Sequence, residues 1–312
     1  MYPDFLRQGS TLRGDQDELD ALVRGHGCFT NDLVVPAQCF AAFVRSPLAH
    51  ARVLSIQTQE ALKQPGVRGI YTGADLARDG LGGIGPVVVF NGRDGQPMKQ
   101  APIPVLAHER VLHVGEAVAM VVADTAEHAE LAAEAVQVQW DPLPAVVDPE
   151  LALQPDALSL HGNAPGNLAL DWADGDAARC EAAFAQAHHV QEVALDDPPM
   201  TACAMEPKAA IGMWDPLTQR WTLVASTQGV MLVRKQLAEQ VFHVPLQDIR
   251  VLTPQVGGGF GAKAQTYPEY AALLYASKAL GVPVRWTASR LESFLGDTHS
   301  RNSRLKARMA FD

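Results

Sequence analysis

Ile249-Arg250-Val251-Leu252-Thr253-Pro254-Gln255-Val256-Gly257-Gly258-Gly259-Phe260-Gly261-Ala262-Lys263 is the stretch on which the reading of this chain turns. An apolar strand, Ile249 to Leu252, runs into a turn with four glycines in five positions. After Pro268 the alanine-rich run Glu269 to Leu280, closed by Gly281, predicts a helix. Strand, glycine turn and helix together let backbone N–H groups approach a phosphate or another oxyanion. The glycines remove the Cβ atoms that would hold a ligand off, and they admit positive φ where the turn needs it.

Two phosphate motifs fail on inspection. Gly257, Gly259 and Ala262 satisfy G-x-G-x-x-G/A, but that fingerprint also wants an acidic residue about 20 residues on. The next candidate strand, Pro283 to Thr287, ends without a carboxylate, which speaks against a nicotinamide or flavin site. Ala262 stands where a P-loop needs glycine before the lysine, and Ala264 where it needs Ser or Thr for magnesium. From the glycines alone, a ligand loop and a tight turn without a ligand stay equally open.

The upstream segment decides between them. Trp221 to Ala225 reads as a strand running into Ser226-Thr227-Gln228-Gly229, followed by a predicted helix from Met231 to Val241. A Ser-Thr-Gln turn followed, a helix and a strand later, by Gly-Gly-Gly-Phe-Gly-x-Lys resembles the large subunit of the molybdenum hydroxylases, the family of xanthine dehydrogenase, aldehyde oxidase and aerobic carbon monoxide dehydrogenase. Arg45-Ser46-Pro47-Leu48-Ala49-His50-Ala51-Arg52, Pro65-Gly66-Val67, Val114 to Ala119 and Leu143 to Val146 resemble the a/b hammerhead domain that opens that subunit. The order of predicted elements, β-β-α-β with a later β-α-β, suggests a mixed α+β domain over about 20–148, and the resemblance implies an α+β chain. A leader (1–19) and a hammerhead domain (20–148) would be followed by a connector (149–187) and the first, incomplete part of a mixed α/β molybdopterin-binding domain (188–312).

Composition sets outer bounds. The 312 residues suggest about two domains. A net charge of −10 without a block of like charges argues against nucleic acid. The longest apolar runs are too short for a membrane span. The first residues carry neither an apolar signal region nor twin arginines, so a cytoplasmic protein is expected. Cys28, Cys39, Cys180 and Cys203 form no C-x-x-C, which speaks against an iron–sulfur site on this chain and predicts small buried hydrophobes.

Other polar residues read as structure. Residues 1–19 are expected to be an extended leader, with a β-rich pattern from about Asp20. Arg45, His50 and Arg52 predict a polar corner between strands, on the expectation that no carboxylate converges with them. His188 and His189 would point to opposite faces of a strand and cannot easily share an ion. Asp196-Asp197 before two prolines predicts a turn. Glu206, between Met205 and Pro207, resembles an internal hydrogen-bonding glutamate of the carbon monoxide dehydrogenase-like branch. Ala264 stands where the purine-oxidising branch has a glutamate, which speaks against a xanthine substrate.

The resemblance also implies the site. A molybdenum held by a pterin dithiolene needs no protein thiolate, so the protein supplies hydrogen bonds and shape. Gln228 would donate to a metal oxo group, with Phe260 as a further contact through its backbone. Gln228, Gly229, Gly258, Gly259, Phe260, Gly261 and Ala262 would line the cofactor. That cofactor is molybdopterin, its cytosine dinucleotide form included. The Phe260 ring would wall the site. No catalytic residue is expected here, because the general-base glutamate would lie in a missing C-terminal portion. FAD and a 2Fe-2S centre would sit on partner subunits, an iron–sulfur subunit and a flavin subunit, with a small-molecule heteroaromatic or aldehyde as substrate. The isolated chain would be inactive. A non-catalytic scaffold or fragment retaining the fold is the alternative.

Overall fold

The computed structural model describes residues 15–312. Of the expected leader, residues 1–14 lie outside the described part. From Asp15 the backbone is helical rather than extended, forming α1 (Asp15–Val23); Leu19, Ala21 and Leu22 are good helix formers and outweigh the local polarity.

The rest is α+β. The strands are β1 (Cys39–Arg45), β2 (Ala51–Gln57), β3 (Val67–Thr72), β4 (Arg110–Val111), β5 (Ala117–Ala123), β6 (Gln137–Pro142), β7 (His189–Asp197), β8 (Ala209–Asp215), β9 (Arg220–Ala225), β10 (Ile249–Leu252), β11 (Val284–Thr287) and β12 (Ser303–Phe311). The further helices are α2 (Gly73–Arg78), α3 (Ala126–Glu134), α4 (Pro149–Ala152), α5 (Ala177–Gln186), α6 (Val230–Gln236), α7 (Pro268–Leu280) and α8 (Arg290–Gly296).

A seven-stranded sheet, β10-β9-β8-β11-β1-β5-β3, joins the early and late parts of the chain. The seam is the parallel pair β1–β11, with Cys39 opposite Val284. Every residue of β5 is buried, as its unbroken apolar run requires of a strand covered on both faces. Met120 and Val122 pack into the cluster around α7, whereas Val121 packs with Ala132 and Val136 beside α3. Helix α7 is apolar nearly all round and correspondingly buried, with Tyr270, Leu273 and Leu274 fully enclosed.

Three local expectations need correction. The helix after Gln228 is α-helical only to Gln236 and continues as a π-turn, Leu237–Phe242. Asp196 and Asp197 complete β7 instead of forming a turn, because β12 continues the ladder opposite them, with Ser303 facing Asp197 and Arg304 facing Asp196. Of the cysteines only Cys39 is buried; Cys28, Cys180 and Cys203 are exposed, since each lies outside the covered sheet.

Candidate functional site

Strands β9 and β10 are parallel neighbours, with Val224 opposite Leu252. Their following turns, residues 226–229 and 253–263, therefore leave the sheet at the same end, the carboxyl end, where α/β sheets place their ligands. This is how two stretches separated by a helix come to touch.

The contact is specific. Gly261 donates its N–H to Gln228 Oε1 at 3.0 Å. A main-chain N–H can only donate, so the carboxamide oxygen faces the loop and Nε2 faces away. The Gln228 N–H and the Thr227 hydroxyl both donate to the Lys263 carbonyl, at 3.0 and 2.9 Å. A Cβ on Gly259 would lie 2.3 Å from Gln228 Oε1 and 2.4 Å from its Cδ. The close approach that Gly259 serves is thus first to Gln228.

The loop backbone is of mixed hand. Gly258 (φ 94°), Phe260 (φ 52°) and Gly261 (φ 88°) all lie at positive φ. For a bulky residue such as Phe260 this is a strained conformation, of the kind that clusters at functional sites. The N–H groups of Gly258, Gly259 and Phe260, three in succession, donate to no atom among the described residues. Consecutive free N–H groups on such a backbone form an anion-binding concavity.

Beneath the loop lies a buried ion pair. Lys263 Nζ donates to Glu206 Oε2 and to the Glu206 carbonyl, each at 2.8 Å, with side chains 4% and 9% exposed. Glu206 Oε2 also accepts the Gly257 N–H at 2.7 Å, in keeping with an internal hydrogen-bonding role. Arg290 holds the same segment from the other side, donating to the carbonyls of Ala204 (2.7 Å) and Met205 (2.9 Å). Sequence reasoning missed Lys263 as a member of the site. No local signal marked it, because the acidic partner that a buried cation needs lies 57 residues away along the chain.

The remaining site residues fall around this centre. Gly229 opens α6, its N–H bonded to Thr227 Oγ1 at 3.2 Å. The Ala262 N–H donates to the Gly259 carbonyl, and the Ala262 carbonyl accepts the Tyr267 hydroxyl at 2.9 Å. The glycine turn is followed by a 3-10 turn, Ala262–Ala264, and not directly by α7. The Phe260 ring is 78% exposed within this chain, folding back over Gly258.

The Arg45 corner also differs from expectation. Arg45 meets two carboxylates, Glu269 at 2.7 Å and Glu292 at 2.6 Å. They come from α7 and α8, more than 200 residues away, which is why local sequence could not show them. Burial alone would push the Glu269 carboxyl up, but Lys208 and Arg45 outweigh it and hold the group below the usual range. His50 donates from Nδ1 to the Pro144 carbonyl at 2.7 Å, and Arg52 makes an exposed pair with Asp141. A cavity of about 640 Å³ lies against Arg45, His50, Tyr267 and Glu269, and the glycine loop does not line it. Among the described residues no group of three His, Cys, Asp or Glu side chains could hold a metal ion, and no helix is long and apolar enough to cross a membrane.

Residues 160–312 match the family profile described as molybdopterin cofactor-binding domain, and residues 24–144 match that of the aldehyde oxidase and xanthine dehydrogenase a/b hammerhead domain. The chain is 30% identical to the carbon monoxide dehydrogenase large chain of Hydrogenophaga pseudoflava, covering 92% of this chain and 36% of that one. It is 33% identical to the 6-hydroxypseudooxynicotine dehydrogenase complex subunit gamma of Paenarthrobacter nicotinovorans, covering 93% and 36%. Its structure superposes on quinoline 2-oxidoreductase from Pseudomonas putida 86 with a TM-score of 0.81 and 35% identity, over 95% of this chain and 36% of that one. The chain thus spans about a third of the length of the relatives it matches.

Proposed function

The chain belongs to the aldehyde oxidase and xanthine dehydrogenase family of molybdopterin-binding proteins, and from that premise we propose that it forms part of the cofactor site of a molybdenum hydroxylase large subunit. The observation that carries the proposal is the Gln228–Gly261 contact, which leaves Gln228 Nε2 free to donate, together with the three unengaged backbone donors of the same loop. Such a set fits a cofactor whose exposed atoms are acceptor oxygens, and it offers the metal no ligand, as suits one already held by its own dithiolene. Gln228 Nε2 and the N–H groups of Gly258, Gly259 and Phe260 would hold the group, with Gly229, Gly261 and Ala262 shaping the wall. When bound, the cofactor supplies two-electron oxidation of a carbon centre with oxygen drawn from water. The protein's share is orientation by preset donors, which need not reorganise during the reaction, and exclusion of water once Phe260 is covered.

The activity we assign to the complete enzyme is hydroxylation of a heteroaromatic or aldehyde-type substrate. Ala264 beside Lys263 leaves the loop without the carboxylate that the purine-oxidising branch carries there. In this reading the general base comes from a further large-subunit segment or subunit. Electrons leave through 2Fe-2S and FAD partners, the pterin is plain or carries a cytosine nucleotide, and the assembly is cytoplasmic.

Co-production of the chain with the rest of its large subunit and the redox subunits, followed by metal analysis and turnover in heavy-oxygen water, tests this directly. Stoichiometric molybdenum and labelled product are expected. Partners recovered without molybdenum would favour a scaffold, and unlabelled product would rule out hydroxylation by water.

A further inference from the structure

We propose that the buried Glu206–Lys263 ion pair is a positioning unit for the Gln228 amide, acting through the backbone of the glycine loop. The inference rests on the cofactor-site reading above and adds to it two residues whose side chains lie buried beneath the glycine loop. Lys263 is tied at both ends. Its Nζ reaches Glu206 Oε2 and the Glu206 carbonyl at 2.8 Å, while its own carbonyl accepts the Gln228 N–H at 3.0 Å and the Thr227 hydroxyl at 2.9 Å. Glu206 closes the ring, accepting the Gly257 N–H at 2.7 Å and donating its N–H to the Gly257 carbonyl at 3.2 Å. Residues 204–206, 226–229 and 257–263 thereby share one network.

The network matters because a glutamine side chain has two nearly isosteric orientations that differ in what they present. With Gly261 N–H at its oxygen, Gln228 offers a donor to the site. If the loop shifts so that this contact lengthens, nothing among the described residues prefers one orientation. The amide can then turn an acceptor toward a ligand that needs a donor. The pair fixes the loop at both of its ends, Gly257 and Lys263, so it selects the donor-out orientation. A buried ion pair contributes little net stability over an apolar pair of the same size, and holding a register is its best-attested use.

The test is the double variant Glu206→Leu/Lys263→Met in the assembled complex, beside Gln228→Ala. Replacing the pair by apolar side chains should keep the protein folded. Hydrogen exchange at the Gly257 and Gly261 amides should rise about tenfold or more, as for a loop released from its anchors, in metal-free protein as well as loaded. The electron paramagnetic resonance spectrum of the reduced metal should move toward that of Gln228→Ala. A double variant with wild-type exchange and spectrum would overturn the positioning role. So would loss of the folded state in the double variant, because the pair would then be required by the fold first. Failure of the underlying reading looks different: Gln228→Ala itself would leave metal content and spectrum unchanged.

Discussion

Arg45 and Lys263 are cations largely withdrawn from water, with side chains 11% and 4% exposed, and both are held by glutamates from distant segments, yet they serve opposite surroundings. Around Arg45 the partners come from α7 and α8, and the Gly115 carbonyl takes a further guanidinium N–H at 2.9 Å. The cluster lies where the early strands meet α7, and it ties them together at the edge of the cavity of about 640 Å³. Lys263 has core on one side and a loop with three unengaged N–H groups and an exposed Phe260 on the other. The same chemistry therefore acts as a joint in one place and as a support for an open surface in the other. Among the described residues both glutamates keep one buried oxygen without a partner, Glu269 Oε2 and Glu206 Oε1, so what separates the two places is the run of unengaged loop N–H groups beside Lys263.

The largest effect should follow breaking the joint. Arg45→Met leaves Glu269 buried beside a weakened set of cations and should cost about 3–5 kcal/mol, read by chemical denaturation, with metal content falling only as folded protein is lost. If stability is unchanged, the joint is not one. Gln228→Ala should do the reverse: turnover in the assembled enzyme falls about 10²–10³-fold, as for loss of a preset donor. Stability should stay within about 0.5 kcal/mol because the side chain is exposed. Equal losses of stability and rate would erase the contrast.

Gly259→Ala sharpens it further. The new Cβ must displace the Gln228 amide, at about 1–3 kcal/mol of overpacking, and that penalty should shrink when Gln228 is already Ala. A double-mutant cycle without coupling would mean that the two residues do not meet. The smallest effect is a slope with pH, confined to the acid side and flat near neutrality. The folded-state pKa of Glu269 is depressed, so its contribution is present above the unfolded carboxylate value near 4.3 and is lost as pH falls through the folded value. Glu269→Gln should flatten that acid limb of the stability curve, whereas an unchanged limb would assign it to other carboxylates.

Much of this was legible in local sequence. The unbroken apolar run of β5, the Pro268-to-Gly281 limits of α7 and the glycine turn each depend on neighbours a few residues away, and each stands where the periodicity and end signals put it. The identity of the site residues rested on a resemblance. Their contact geometry could not be read, because it follows from the parallel pairing of β9 and β10, a non-local choice. Polar residues fared worst. Arg45 looked unpartnered, and Lys263 was read as a failed phosphate lysine and as the end of a family motif, without a partner of its own. Asp196 and Asp197 looked like a turn until β12 supplied the opposing strand.

The sequence by itself determined the α+β class, the main strands and helices, and the glycine loop's freedom to approach another group, since these depend on periodicity, φ preference and missing Cβ atoms. Tertiary structure alone decided that β1 and β11 share one sheet, that Glu206 neutralises Lys263, and that Gln228 turns its N–H₂ outward. Burial is what decides such matters. A charge or an amide taken out of water must find its partner wherever the fold brings one, at whatever distance along the chain.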